Sequence, residues 1–364
     1  KDVYFHDLTL LTADVVAHSL KRTIPVTEWF FTYKDISVIN DFELILTLEM
    51  PFMLLPNCLA GYRTSILPIE HKQGTIGCGA FLLITNTDEK LQLQVFSKYF
   101  KQRPWIDGIE IFYTQDVGNF GVSTIPFADD VPMRTLITQE QGADYISLNS
   151  QQGPLANAAY RETVYSLIDA ASFTLFERGE TIAYSWIFGE KLIPTISERL
   201  VDATQFPPLK IGVQQIRAGG NHEREALILQ QILANYGIES TLHICDFKEK
   251  VIALEQQYDL FVGGSALGED LLLSRAYIYT SEPNTILCMA PNLIQQQVKT
   301  LYQPVKNLLH IENVLQQMDQ QLQQSFCLKF LNHRIHRQYV RQDFSYQNIQ
   351  FDSNGRIAYK VLFV

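Results

Sequence analysis

The sequence predicts an α/β fold, and three observations carry that prediction. Beyond Pro207-Pro208, the sharpest punctuation in the chain, strand and helix patterns alternate as a βαβαβ unit. Ahead of it lie short strands of period two, as in Phe42–Leu48, where Phe42, Leu44, Leu46 and Leu48 alternate with Glu43, Ile45, Thr47 and Glu49. The 364 residues are 46% hydrophobic and 19% charged, enough apolar material for two to three domains and too much for a disordered chain.

Taken in order, the chain opens with a strand at Val3–Phe5, a turn at His6-Asp7 and a helix from Thr12 to Arg22. Thr12 suits the N-cap, Asp14 the first turn, and Lys21 and Arg22 the negative end of the helix dipole. Ile36–Ile39 and Phe42–Leu48 read as strands paired through Asn40-Asp41, the second ended by Pro51. The segment Gly74–Phe81 leads into a strand reaching Thr85, and after the turn Asn86–Glu89 another strand puts Leu91, Leu93 and Val95 on one face. Ile109–Tyr113 and Tyr145–Asn149 are further strands, and Asn157–Ala171 is a helix with an apolar stripe of Tyr160, Val164, Leu167, Ile168 and Ala171.

The alternating unit then runs strand Leu209–Val213, helix Asn221–Tyr236, strand Ile238–Cys245, helix Lys248–Gln256 and strand Leu260–Val262. That rhythm calls for a mostly parallel sheet covered by helices. Gly237 stands where a helix ends in a left-handed residue. The Gln-rich stretch Leu293–Gln324 keeps Ile311, Val314, Leu315, Met318 and Leu322 at helical spacing, and strands return at Phe326–Phe330 and Arg356–Val364. No internal repeat is present.

A net charge of -10 argues against nucleic-acid binding, which needs clustered Lys and Arg on the phosphates. The local exception, Lys329, Arg334, Arg337 and Arg341, reads as a solvated face. No apolar run reaches the roughly 18 residues of a membrane-spanning helix. The 5 cysteines are scattered without a CxxC pair, which speaks against a disulfide framework and a structural zinc site and for a reducing compartment.

Motifs of chemistry are weak. Gly263-Gly-Ser-Ala-Leu-Gly268 has Leu267 where a nucleophile elbow needs glycine, so its glycines read as a sharp turn at a strand end. Arg217-Ala-Gly-Gly-Asn221 lacks the lysine of a phosphate loop and reads as a turn with Asn221 as N-cap. His222-Glu-Arg-Glu225 departs from HExxH, and the histidines of His333-Arg-Ile-His336 meet only on a helix, whereas their surroundings read as a strand end. The expectation is a binding protein with no catalytic residue, metal or cofactor.

Several segments in fixed order resemble the family of solute-binding proteins that carry oligopeptides and nickel (solute-binding family 5). The carriers are Val3–Arg22, with its Leu11-Thr-Ala-Asp-Val-Val run, Gly74–Phe81, Phe96–Phe100 with Pro104–Ile111, and Tyr145–Asn149 with Arg161 and Asp169. The compact stretch Thr114–Asp144 is similar to the branch of SgrR-type regulators of sugar-phosphate stress, cytoplasmic proteins in which a DNA-binding domain precedes the solute-binding module. The resemblance implies an α/β, two-lobed periplasmic-binding-protein-like fold (type II) with mixed sheets and a hinge. Residues 1–206 would form lobe one, N-terminally incomplete, 207–325 lobe two, and 326–364 the return to lobe one.

It further implies a small-molecule ligand in an interlobe cleft, closure upon it, and DNA contact only through a domain outside this chain. Peptide-binding members place an Asp shortly after the lobe-two strand, where this chain has Ala266 or Leu267, which counts against a peptide. The candidate ligand-binding residues are Ser265, Glu269 and Asp270 from lobe two and the aromatics Trp105, Tyr184 and Trp186 from lobe one. The leading expectation is a cytoplasmic, non-enzymatic effector domain sensing a solute such as a sugar phosphate. The rival is an exported, extracytoplasmic substrate-binding subunit of a peptide or solute ABC transporter. A third reading, a hydrolase, lacks a nucleophile. A homo-oligomer formed through an exposed sheet edge is also open.

Overall fold

The structure is a computed structural model describing residues 2–23, 33–49, 51–52, 54–61, 64–69, 76–114, 122–124, 126–127, 130–197, 200–202, 205–215, 221–245, 254–280, 286–298 and 308–342. The expected strand Arg356–Val364, the loop 216–220, and most of the expected helix Lys248–Gln256 lie outside these residues. Two compact units emerge: one comprises Lys1–Ile137 and resumes at Arg337, the other spans Thr138–His336. Among the described residues no helix is long and apolar enough to cross a membrane.

The first unit carries α1 (Ala13–Thr23), β1 (Tyr33–Asn40), β2 (Glu43–Leu48), α2 (Leu55–Ala60), β3 (Phe81–Asn86), β4 (Lys90–Val95), β5 (Gly108–Phe112) and β6 (Val122–Ser123). Thr12 caps α1 as its position suggested, its Oγ1 accepting from Val15 N at 3.5 Å. β1 and β2 form an antiparallel hairpin through Asn40 and Glu43, and β3-β4-β5 form an antiparallel meander. β7 (Met133–Gln139) then leads the chain into the second unit.

The second unit contains β8 (Gly142–Leu148), α3 (Ala158–Leu167), β9 (Thr181–Ile182), β10 (Leu209–Gln214), α4 (Asn221–Asn235), β11 (Ser240–Cys245), α5 (Leu254–Gln257) and β12 (Leu260–Ala266). It continues through α6 (Leu271–Thr280), α7 (Asn292–Gln297), α8 (Leu308–Gln324), β13 (Leu328–Phe330) and β14 (Asn332–His333), and β15 (Ile335–Arg341) carries the chain out. Its main sheet has the order β11-β10-β12-β8-β13. β10 pairs in parallel with β11 and β12, whereas β8 is antiparallel to both β12 and β13, so the sheet is mixed.

Buried residues of β8, β10, β12, α3 and α4 fill one core, among them Ile146, Leu148, Val164, Ile211, Leu229, Leu233 and Val262. Every residue of β8 is buried, as a strand covered on both faces must be. α4 ends as expected, with Gly237 at φ +78, a conformation that costs a glycine little.

Two details depart from expectation. α3 stops at Leu167 rather than Ala171, because Ile168 is extended and Asp169 accepts from Ala171 N at 3.1 Å, starting a separate 3-10 turn. Gly263 and Gly264 make no turn; both lie within β12, where their missing side chains leave room for neighbours on β8 and α4. The compact units divide at 137/138 and 336/337. Backbone pairing is the reason: β8 and β13, on either side of the sequence segment 207–325, hydrogen-bond into the same sheet as β10 and β12.

Candidate functional site

The strand order β11-β10-β12 sends the chain from β10 to one neighbour and then back across to the other. Open α/β sheets take ligands outside the carboxyl ends of strands at such a reversal. Here those ends are Gln214 and Ala266, and the amino end of α4 at Asn221 lies on the same side. β8 runs the opposite way, which brings its first residues, Gly142–Asp144, beside Gly264–Ala266.

A buried charged hub is built at this edge. Asp144, 2% exposed at the side chain, accepts from Arg334 through both oxygens, Nε to Oδ2 at 2.7 Å and Nη2 to Oδ1 at 2.5 Å. His222 Nε2 lies 2.6 Å from Arg334 Nη2 and 3.3 Å from Asp144 Oδ1. Glu225, one turn along α4 from His222, accepts from Asn332 Nδ2 at 3.1 Å, and its Oε2 has no hydrogen-bond partner among the described residues.

The two carboxyls are shifted in opposite directions for physical reasons. Burial alone would raise Asp144, but His222 and the Arg334 guanidinium more than offset it and hold the group below its ordinary value. Burial, with the Asp144 carboxylate beside it, pushes Glu225 well above the carboxylate range. Asp144, His222 and Glu225 bring one ligand atom each within 4.8 Å of the others, a spacing a metal ion would fit. Arg334, however, already occupies both Asp144 oxygens, so the arrangement is a charge-paired hub that fixes β8, α4 and the segment before β15 together.

The structure places the sequence candidates unevenly. Ser265 is half-buried on β12, paired with Ala143 and adjacent to Gly264. Asp270 Oδ1 accepts from Leu273 N at 2.9 Å at the start of α6, and Glu269 is exposed just before it. These three share the carboxyl edge. Trp105 belongs to the first unit and is 69% exposed. Tyr184 is half-buried and lines a cavity of the second unit.

Trp186 is 0% exposed: its Nε1 donates to Tyr279 Oη at 2.9 Å and Asp319 Oδ1 at 3.2 Å, with Arg275 Nη2 2.6 Å from Asp319 Oδ2. A stacking platform needs an open ring face, which Trp186 lacks. Sequence reasoning passed over Asp144 and took Arg334 and Lys329 for a solvated face, whereas Arg334 pairs with buried Asp144 and Lys329 enters a cavity; nothing local marks Asp144 and Arg334, 190 residues apart, as partners. The signal it did have was His222 and Glu225 at a spacing of three, which shares one helix face.

The HTH-type transcriptional regulator SgrR of Escherichia coli (strain K12) is 23% identical over 264 residues, 68% of this chain and 46% of that protein. The uncharacterized protein YhjP of Bacillus subtilis (strain 168) is 26% identical over 320 residues, 79% of this chain and 54% of YhjP. The chain thus spans about half the length of these curated relatives. The ABC transporter-associated periplasmic binding protein DppA from Helicobacter pylori, solved in complex with the peptide STSA, superposes with a TM-score of 0.74 at 15% identity, covering 99% of this chain and 84% of that one. That likeness shows the fold, the two-lobed α/β periplasmic-binding fold with mixed sheets. Residues 1–282 match the model of the bacterial extracellular solute-binding proteins, family 5 (middle), and the chain belongs to that family.

Proposed function

We propose that this chain is the solute-sensing module of a longer transcriptional regulator, binding a small polar solute without chemical turnover. The observation that carries the reading is the similarity to SgrR over 68% of the chain, confined to less than half of the regulator's own length. Such a share is what a sensing module within a longer protein would give. Five free cysteines, three of them buried, are in keeping with a reducing compartment. Ser265, Glu269 and Asp270 at the carboxyl edge supply hydroxyl and carboxylate groups suited to a polyol, and a sugar phosphate is the solute class put forward. Trp105, exposed on the first unit, offers open aromatic surface of the kind that stacks on a sugar face. Solute binding would shift the population of conformations, and a linked DNA-binding domain would read that shift.

The second reading, an exported substrate-binding subunit of an ABC transporter, rests on the fold match to the peptide-bound DppA structure. One experiment separates the two. Thermal unfolding is followed against sugar phosphates, free sugars and short peptides, where a ligand at about 100 times its dissociation constant adds roughly 2.7 kcal/mol. A shift with sugar phosphates that Ser265→Ala and Glu269→Gln diminish supports the sensor. A shift with peptides alone supports the transporter subunit.

A further inference from the structure

Away from the carboxyl edge, the second unit contains a half-open cavity of about 90 Å³. Its walls are mainly apolar, among them Leu192, Ile193, Pro194 and Phe330, with Tyr165 and Tyr184 beside them. One cation enters it. Lys329, on the edge strand β13, holds Nζ 4.3 Å from the centre of the Tyr165 ring. Among the described residues no acceptor lies within hydrogen-bond distance of that nitrogen, so the aromatic face is what it has in place of a counter-ion. A second cation, Lys191, stands 5.9 Å from the Tyr184 ring centre. The acid that acts on Lys329, Asp169, is exposed and already accepts from Ala171 N at 3.1 Å.

An ammonium drawn among apolar side chains is costly unless an anion joins it. The void has the volume of about three waters at liquid density, room for a short hydrocarbon rather than a peptide. We propose that this cavity binds a small monocarboxylate, its hydrocarbon part against Ile193, Pro194 and Phe330 and its carboxylate on the Lys329 ammonium. The site uses none of Ser265, Glu269 and Asp270, and its anchor is Lys329, so Lys329 variants test it separately from the solute-sensing reading. Burial already pushes the Lys329 ammonium down to about 8, as desolvation without a paired anion requires. A bound carboxylate would bring it back up.

The test uses the whole chain with sodium hexanoate and 1-hexanol as probes, read by titration calorimetry. Hexanoate should bind roughly tenfold or more tighter than 1-hexanol, and Lys329→Met should weaken hexanoate by a similar factor, the effect of removing one member of a buried charge pair. In chain labelled with carbon-13 lysine, hexanoate should move the Lys329 Cε titration to higher pH. Equal binding of the two probes, unchanged hexanoate affinity in a folded Lys329→Met or Lys329→Gln chain, or a Cε titration that hexanoate leaves in place would each overturn the proposal. Should both variants fail to fold, the probe comparison and the Cε titration on the unaltered chain decide it.

Discussion

Gly264 of β12 stands directly across from Asp144 of β8, and a β-carbon added to it would collide with the Asp144 carboxylate and, at 2.6 Å, with His222 Nε2. Both neighbours are held by Arg334 and cannot swing aside without breaking the charge pair. Gly264→Ala is therefore expected to destabilise the chain by about 1–3 kcal/mol, the usual cost of overpacking a filled interior. Urea unfolding measures it, and an unchanged midpoint would show that the hub is looser than its geometry.

Arg334→Met leaves Asp144 buried without its cation. Removing one partner of such a pair costs about 3–5 kcal/mol, while removing both together costs much less. The double variant Asp144→Leu/Arg334→Met should recover a large part of that loss in the same unfolding assay. If single and double variants unfold alike, the pair does not hold the edge together.

Glu225 gives the hub a pH dependence of definite sign. Folding raises its pKa above the unfolded value, so its contribution is whole below the ordinary value of 4.5 and is lost as pH rises through the raised one. Glu225→Gln keeps a neutral acceptor for Asn332 and removes the ionisation. The variant's melting temperature relative to the unaltered chain should accordingly climb as pH rises above 4.5 and level off once pH passes the raised value of Glu225. A flat or falling difference would mean that Glu225 is already ionised in the fold.

Trp186→Phe deletes the indole hydrogen that reaches Tyr279 and Asp319, leaving buried acceptors short of a donor. A loss of about 1–3 kcal/mol is expected. Because the ring is sealed in the interior, ligand-induced shifts in melting temperature should be the same size in the variant. A selective loss of those shifts would return Trp186 to the binding surface.

Local periodicity carried the reading a long way. The alternation in Phe42–Leu48, the length of α4 and the left-handed Gly237 all depend on neighbours within a few positions, and each appears in the structure. The site was harder because its parts are distant in the chain. Asp144 looks like one more acid in a strand until Arg334 arrives from the other end of the unit, and Trp186 is as apolar in a cleft as in a core. Gly263 and Gly264 were read as turn residues since a glycine pair marks a turn more often than a strand; only the neighbouring Tyr145, Asp144 and His222 reveal the crowding they relieve.

The interior strand β8 takes one neighbour, β12, from the middle of the unit and the other, β13, from near its end, with Tyr145 opposite Phe330. A ribosome delivering this chain presents β8 long before either strand emerges. Until Phe330 has left the exit tunnel, one backbone edge of a strand that the fold buries completely stays open, and such edges invite pairing with other nascent chains. Expression fragments that stop short of β13 would carry that open edge permanently, so a soluble piece of this unit has to be cut beyond residue 330.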